Sequence, residues 1–129
     1  MVTKPTLDDV RQEIGVWQAN HKGVTGQCLG CTRWALQQVH MELPFAVVRP
    51  GHHSDFAIDV GSLLATNPAK WGWKLADIHN LPPVYLGFFK TKHPEGHVGV
   101  VANGVIYSDV DYPMSPGWRS NLRWAFVPL

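Results

Sequence analysis

The stretch Gly26-Gln27-Cys28-Leu29-Gly30-Cys31-Thr32-Arg33-Trp34-Ala35-Leu36-Gln37-Gln38-Val39 constrains this chain most, because it reads as a helix that opens on a cysteine. At about 100° per residue, Cys28, Thr32, Ala35, Leu36, Val39 and Leu43 fall within one apolar sector. The pattern predicts a helix buried along its length, from near Cys28 to about Leu43, where Pro44 stops it. A thiol in the first turn meets unsatisfied N–H groups and the positive end of the helix dipole, both of which favour thiolate over thiol. Cys28 is therefore the first candidate nucleophile.

The 129 residues suffice for one domain, residues 1–129, with a hydrophobic core that needs no covalent staples. A net charge of +1 gives no broad cationic field, which argues against nucleic acid as a partner. No apolar run is long enough to span a membrane and no signal-peptide core follows Lys4, so the expectation is synthesis in the cytoplasm without membrane insertion. The two cysteines are too few for a disulfide framework. As a Cys-x-x-Cys pair they also admit a redox dithiol or half of a zinc site. The dithiol expects a buried strand just before the helix, where residues 21–26 read as loop. The zinc site needs two further ligands, and no second Cys-x-x-Cys or His-x3-His follows.

Along the chain, Thr6-Leu7-Asp8-Asp9 has the form of a capped helix start, and Leu7, Val10, Ile14 and Trp17 recur at helical spacing through residue 20. After the cysteine helix, residues 44–53 are irregular, and Ser54 reads as the cap of a third helix ending near Asn67-Pro68. The texture then changes to strands: residues 71–75, 84–89, 96–101, 105–110 and 122–127, with residues 111–120 a loop. Helices first and an antiparallel sheet second define an α+β fold.

A cysteine nucleophile needs a base, and the base needs a group to orient it. His97, at the head of a hairpin strand, is the best candidate base. Asn103-Gly104 is a strong hairpin signal whose loop length decides the third member. A three-residue loop sets His97 opposite Asp109; a two-residue loop sets Val98 opposite Asp109 and leaves Ser108 as the alternative, with Asp111 available from the following loop. Asp109 is favoured, because a carboxylate fixes the imidazole tautomer and stabilises its cation. His52-His53 with Asp55 reads as a solvated loop before a metal site, and His93 as a residue lining the cleft. Trp71, Trp73 and Trp118 lie in loop-rich stretches where a glycan could stack, although packing is the simpler role.

These motifs carry a family resemblance. Cys28-Leu29-Gly30-Cys31-Thr32-Arg33-Trp34-Ala35 resembles the Cys-x-Gly helix opening of NlpC-type cell-wall peptidases, and Gly26-Gln27-Cys28 resembles the Gly-Gln-Cys of CHAP amidases. Gly96-His97-Val98-Gly99-Val100-Val101, with the hairpin after it, is similar to the Gly-His-Val signature of both, and residues 83–89 resemble the strand before it. The likeness implies a papain-like fold with N-terminal helices packed on an antiparallel sheet, and hydrolysis of amide bonds in peptidoglycan stem peptides without metal or cofactor. It carries the nucleophile to Cys28, the base to His97 and the third polar residue to Ser108 or Asp109. Cys31 is the rival nucleophile, since Cys31-Thr32-Arg33-Trp34 also resembles a CHAP helix start. The Cys28 N–H and the Gln27 side chain are candidate oxyanion donors. Two settings follow for such a monomeric hydrolase acting in the periplasm or cell wall. One is a phage endolysin released by a holin. The other is an antibacterial effector delivered by a secretion machine and countered by a cognate immunity protein.

Overall fold

In the computed structural model, which describes residues 4–129, three helices precede the sheet: α1 (Leu7–Asn20), α2 (Cys28–Gln38) and α3 (Ala57–Thr66). The strands are β1 (Trp73–Ala76), β2 (Val84–Phe89), β3 (His97–Ala102), β4 (Val105–Tyr107), β5 (Tyr112–Pro113) and β6 (Leu122–Pro128). A short 3-10 helix, Pro68–Trp71, leads into β1, and α4 (Pro116–Ser120) precedes β6. All neighbours in the sheet are antiparallel, in the order β1-β6-β2-β3-β4-β5. The fold is α+β, with helices packed on an antiparallel sheet, and the last strand is inserted beside the central ones.

Period-two alternation along the strands builds two apolar layers. Leu86, Phe88, Val98, Val100 and Phe126 pack beneath Val10, Ile14, Ala35, Leu36, Val60 and Leu64 of the three helices. On the other face Tyr85, Phe89, Val101, Ile106, Leu122 and Ala125 are covered by Tyr112, Met114 and Trp118 of the segment between β4 and β6. That segment, expected to be plain loop, holds β5 and α4 because it must roof an apolar face. Ser115 caps α4 by accepting the Trp118 N–H.

Helix ends depart from expectation for local reasons. α1 begins as read, with Thr6 and Asp9 bonded as a capping box. α2 stops at Gln38 rather than near Leu43, because His40 takes a left-handed conformation (φ 60°) and the Met41 N–H reaches back to the Leu36 carbonyl at 2.9 Å. With the His40 N–H on Gln37 O, this is a Schellman stop with histidine where glycine is usual. α3 starts at Ala57 with Phe56 at the cap, not at Ser54. The neighbouring Asp55 is drawn inward, where its carboxylate accepts Arg33 Nη1 and Nη2 (3.1 and 3.0 Å) and the Ala46 N–H (3.0 Å). Burial alone would raise the Asp55 pKa, but these donors outweigh it and hold the carboxyl below its ordinary range.

The β2–β3 connection is tied to α3 by the Ile58 N–H on Glu95 O (3.0 Å) and turns at Gly96, whose φ is +71°. A Cβ on Gly96 would lie 2.8 Å from the Phe89 carbonyl oxygen and 2.9 Å from the Ile58 Cβ, whereas one on Gly104 (φ +73°) would meet nothing. Both positions carry the left-handed penalty, but only Gly96 adds a backbone clash. Gly96→Ala should therefore destabilise the fold by about 2–4 kcal/mol, and Gly104→Ala by about 1 kcal/mol. Urea unfolding of the two variants checks this; equal losses would contradict the close approach at Gly96.

Candidate active site

The hairpin between β3 and β4 decides where the candidate residues fall. Ala102 pairs with Val105 and Val100 with Tyr107, so Asn103-Gly104 forms a two-residue turn, both residues at positive φ. Continued as a ladder, that register would set Asp109 opposite Val98 and away from His97. The ladder ends at Tyr107 instead. Ser108 Oγ donates to the Val98 carbonyl (2.8 Å), and Gln18 Nε2 on α1 donates to Ser108 O (2.6 Å) and Asp111 Oδ1 (2.8 Å). These bonds replace strand pairing with a bend at residues 108–110, and the bend returns Asp109 to the cleft. Ser108 is fully buried and spent on the β3 backbone; Asp111 is bonded to Gln18 on the surface.

A cleft of about 570 Å³ is lined by Cys28, His97 and Asp109, with Tyr112 and Trp118 on one side and residues of the β2–β3 loop on another. Cys28 opens α2, half-buried, and the backbone N–H of Val98, the residue after His97, acts to favour its thiolate. Asp109, 7% exposed, accepts the Gln27 N–H on Oδ2 at 2.9 Å, so the carboxylate caps the helix that begins with the cysteine. His97, 8% exposed, sits in an aromatic box, with ring centroids 5.0 Å from Trp118, 5.4 Å from Tyr112 and 6.3 Å from Phe89. Its Nε2 and the Asp109 Oδ1 are both buried without a hydrogen-bond partner. The structure thus holds an unsatisfied donor-acceptor nitrogen and an unsatisfied carboxylate oxygen in the walls of one cleft.

Burial dominates the electrostatics. It pushes the Cys28 thiol up to about 11, over the opposing help of the Val98 N–H, and the Asp109 charge adds to the rise. Burial thus outweighs the thiolate-favouring helix start, and the same N-terminus also faces a carboxylate. Burial likewise lowers His97 to about 4, partly offset by Asp109. Both groups are neutral at pH 7.

Cys31 is fully buried within the apolar core and is raised by burial to about 12, so its thiol has no approach from solvent. The Gln27 side chain is exposed and does not line the cleft; its Oε1 lies back along α2, 3.3 Å from where a Cβ on Gly30 would stand. Only its backbone serves the site. His93 lines the cleft, as does Trp118, whereas Trp73 is buried with its indole donating to Glu42 O. Tyr112 carried no signal in the sequence beyond being an aromatic in a Pro-rich loop. Among the described residues no group of three or more His, Cys, Asp or Glu side chains is placed to hold a metal ion.

Fold and cleft together define an α+β protein that gathers a cysteine at the first position of a helix, a strand-borne histidine and a carboxylate. No protein-family model and no curated protein matches the chain. Among solved structures it is similar to a chain in the crystal structure of the type VI native effector-immunity complex Tae3-Tai3 from Ralstonia pickettii, with 17% identity and a TM-score of 0.57. The match covers 91% of this chain and 96% of that one, and at such identity it shows the fold alone.

His97 gives the site a pH signature. Between its folded value near 4 and its ordinary 6.5, the unfolded chain binds a proton that the native state does not. Stability should therefore fall as pH drops through that window, by up to about 3 kcal/mol, with no contribution above it. Thermal unfolding of the wild type and His97→Asn from pH 7 to 4 measures this. The wild type should lose more stability, and parallel curves would contradict a buried neutral imidazole.

Proposed function

We propose that this protein is a cysteine amidase of the papain-like kind that CHAP and NlpC-type enzymes represent, acting on amide bonds of peptidoglycan stem peptides. The observation that carries the reading is the convergence of Cys28, His97 and Asp109 in one open cleft. The order and spacing of their motifs match the family resemblance.

With both partners neutral at rest, catalysis runs by general base rather than by a standing ion pair. His97 takes the Cys28 proton as sulfur attacks the amide carbonyl, and the unpartnered Asp109 oxygen stabilises the imidazolium that forms. The first N–H groups of α2 have no intrahelical acceptor, so the Cys28 N–H is available to the oxyanion. His97 then protonates the leaving amine, and water hydrolyses the thioester. Cys31 has a packing role only.

The structural likeness to a chain of an effector-immunity complex favours delivery as an antibacterial effector over release as an endolysin, with a cognate immunity protein as the inhibitory partner. The same likeness supports a second reading, since that complex contains an immunity protein too: this chain as a non-enzymatic inhibitor. A working cleft separates the two.

Purified peptidoglycan is the test substrate, with mass spectrometry of released fragments to identify the bond cut. Cys28→Ala and His97→Ala should each lower turnover by at least about 10³-fold and Asp109→Asn by about 10–100-fold, with Cys31→Ala within about threefold of wild type. No release by the wild type would favour the inhibitor reading. Equal loss with both cysteines would favour a Cys-x-x-Cys redox or zinc module.

A further inference from the structure

A second depression, of about 410 Å³, shares Thr91, His93 and Gly96 with the cysteine cleft as a common wall. Its lining includes Lys90, Arg123 and Arg49 and no acidic side chain, over an apolar floor of Trp124 and Ile58. Arg49 is already neutralised by Asp59, at 2.8 and 2.7 Å. Lys90 and Arg123 form no salt bridge among the described residues. On the cleft side, the lining residues Lys92 and Glu95 are of opposite charge.

Arg123 reaches this groove through a local break in the sheet. Phe88 pairs with Trp124 and Phe89 with Leu122, so Arg123 is the extra residue of a β-bulge. Leu122 and Trp124, two positions apart, consequently pack on opposite faces of the sheet. Arg123 and Trp124, adjacent in sequence, both line the groove, which a regular strand forbids. The bulge brings Arg123, whose Nη1 donates to the Ser120 carbonyl at 3.3 Å, into the same lining as Trp124, and the remaining guanidinium donors can meet an anion there.

We infer that this groove is a subsite for a carboxylate of the substrate, so that the cleft cleaves an acidic peptide lying across the Thr91–Gly96 wall with its anionic group on Arg123 and Lys90. The inference rests on the amidase reading and narrows its substrate class. A peptide with its scissile amide at Cys28 that extends over the shared Thr91–Gly96 wall would bring a carboxylate to the two cations.

The test uses a synthetic stem tetrapeptide with its carboxylates free or converted to carboxamides. For Arg123→Gln and Lys90→Gln, KM on the free acid should rise about tenfold while KM on the carboxamide moves less than about threefold; Arg123→Lys should keep most of the wild-type preference. Equal shifts on both peptides, or none, would overturn the subsite. Calorimetric titration of both peptides into Cys28→Ala, with and without Arg123→Gln, removes the dependence on turnover. Tenfold weaker binding of the free acid alone sustains the subsite even if the wild type cleaves nothing, a result that sinks only the amidase reading. Binding indifferent to Arg123 overturns the subsite even in an active enzyme.

Discussion

The hydrogen bond from the Gln27 N–H to Asp109 joins the two halves of the molecule at the point where chemistry is possible. On one side is the start of α2, four of whose N–H groups lack helical acceptors; on the other is a buried carboxylate that needs donors. Each satisfies the other, at about 1–2 kcal/mol for such a cap. The consequence is positional: Cys28, the residue after Gln27, cannot move relative to Asp109 without breaking this bond. The bend bearing Asp109 is in turn fixed to α1 through Gln18 and to β3 through Ser108. Helix α1, which contributes no residue to the cleft, therefore sets its geometry.

Burial is the main reason that the thiol is not a resting thiolate, and the carboxylate held by the same bond adds to it. A helix N-terminus stabilises one nearby anion well and a second poorly, because the first cancels the local field. Asp109 is that first anion. Its charge raises Cys28 and favours protonated His97, so proton transfer between them is opposed at the sulfur and assisted at the imidazole. Burial keeps both groups neutral, which spares a half-buried site an uncompensated ion pair. A resting neutral pair also makes Cys28 less reactive toward adventitious oxidants than an exposed thiolate would be.

What could be read from the sequence, and what could not, divides along a physical line. The elements with strong periodicity appeared where expected: α1 with its capping box, β2 at residues 84–89, and the Asn103-Gly104 turn. Cys31, read as the rival nucleophile, lies on the buried side of α2. Asp109 was favoured on chemical grounds, with the hairpin loop length left open. The strand ladder that a two-residue turn sets up would have pointed it away from His97, but that ladder is interrupted by side-chain bonds from Gln18 and Ser108, and such tertiary competition leaves no local trace in sequence. The Arg33–Asp55 pair was missed on the same ground, since it joins a helix to a loop, and with it the true start of α3. Tyr112 and Trp118 box in His97 only because the β4–β6 segment folds over the sheet, a long-range event that alternation cannot report.

Both depressions lie where regular pairing of the central strands gives out. β3 opens at His97, β2 leaves its ladder after Phe89, and β6 carries its bulge opposite that same step. Strand interiors satisfy every backbone group and alternate their side chains strictly, so they offer rigidity but no convergence of neighbours. At the frayed end, bends and a bulge let side chains of adjacent or opposed direction point into common space: Asp109 toward the cysteine helix, Arg123 beside Trp124. The apolar layers on both faces of the sheet hold that end still. A site built this way tolerates change in its lining more readily than change in the Gly96 turn, the Gln18 bonds or the bulge, because those set the directions from which every lining residue departs.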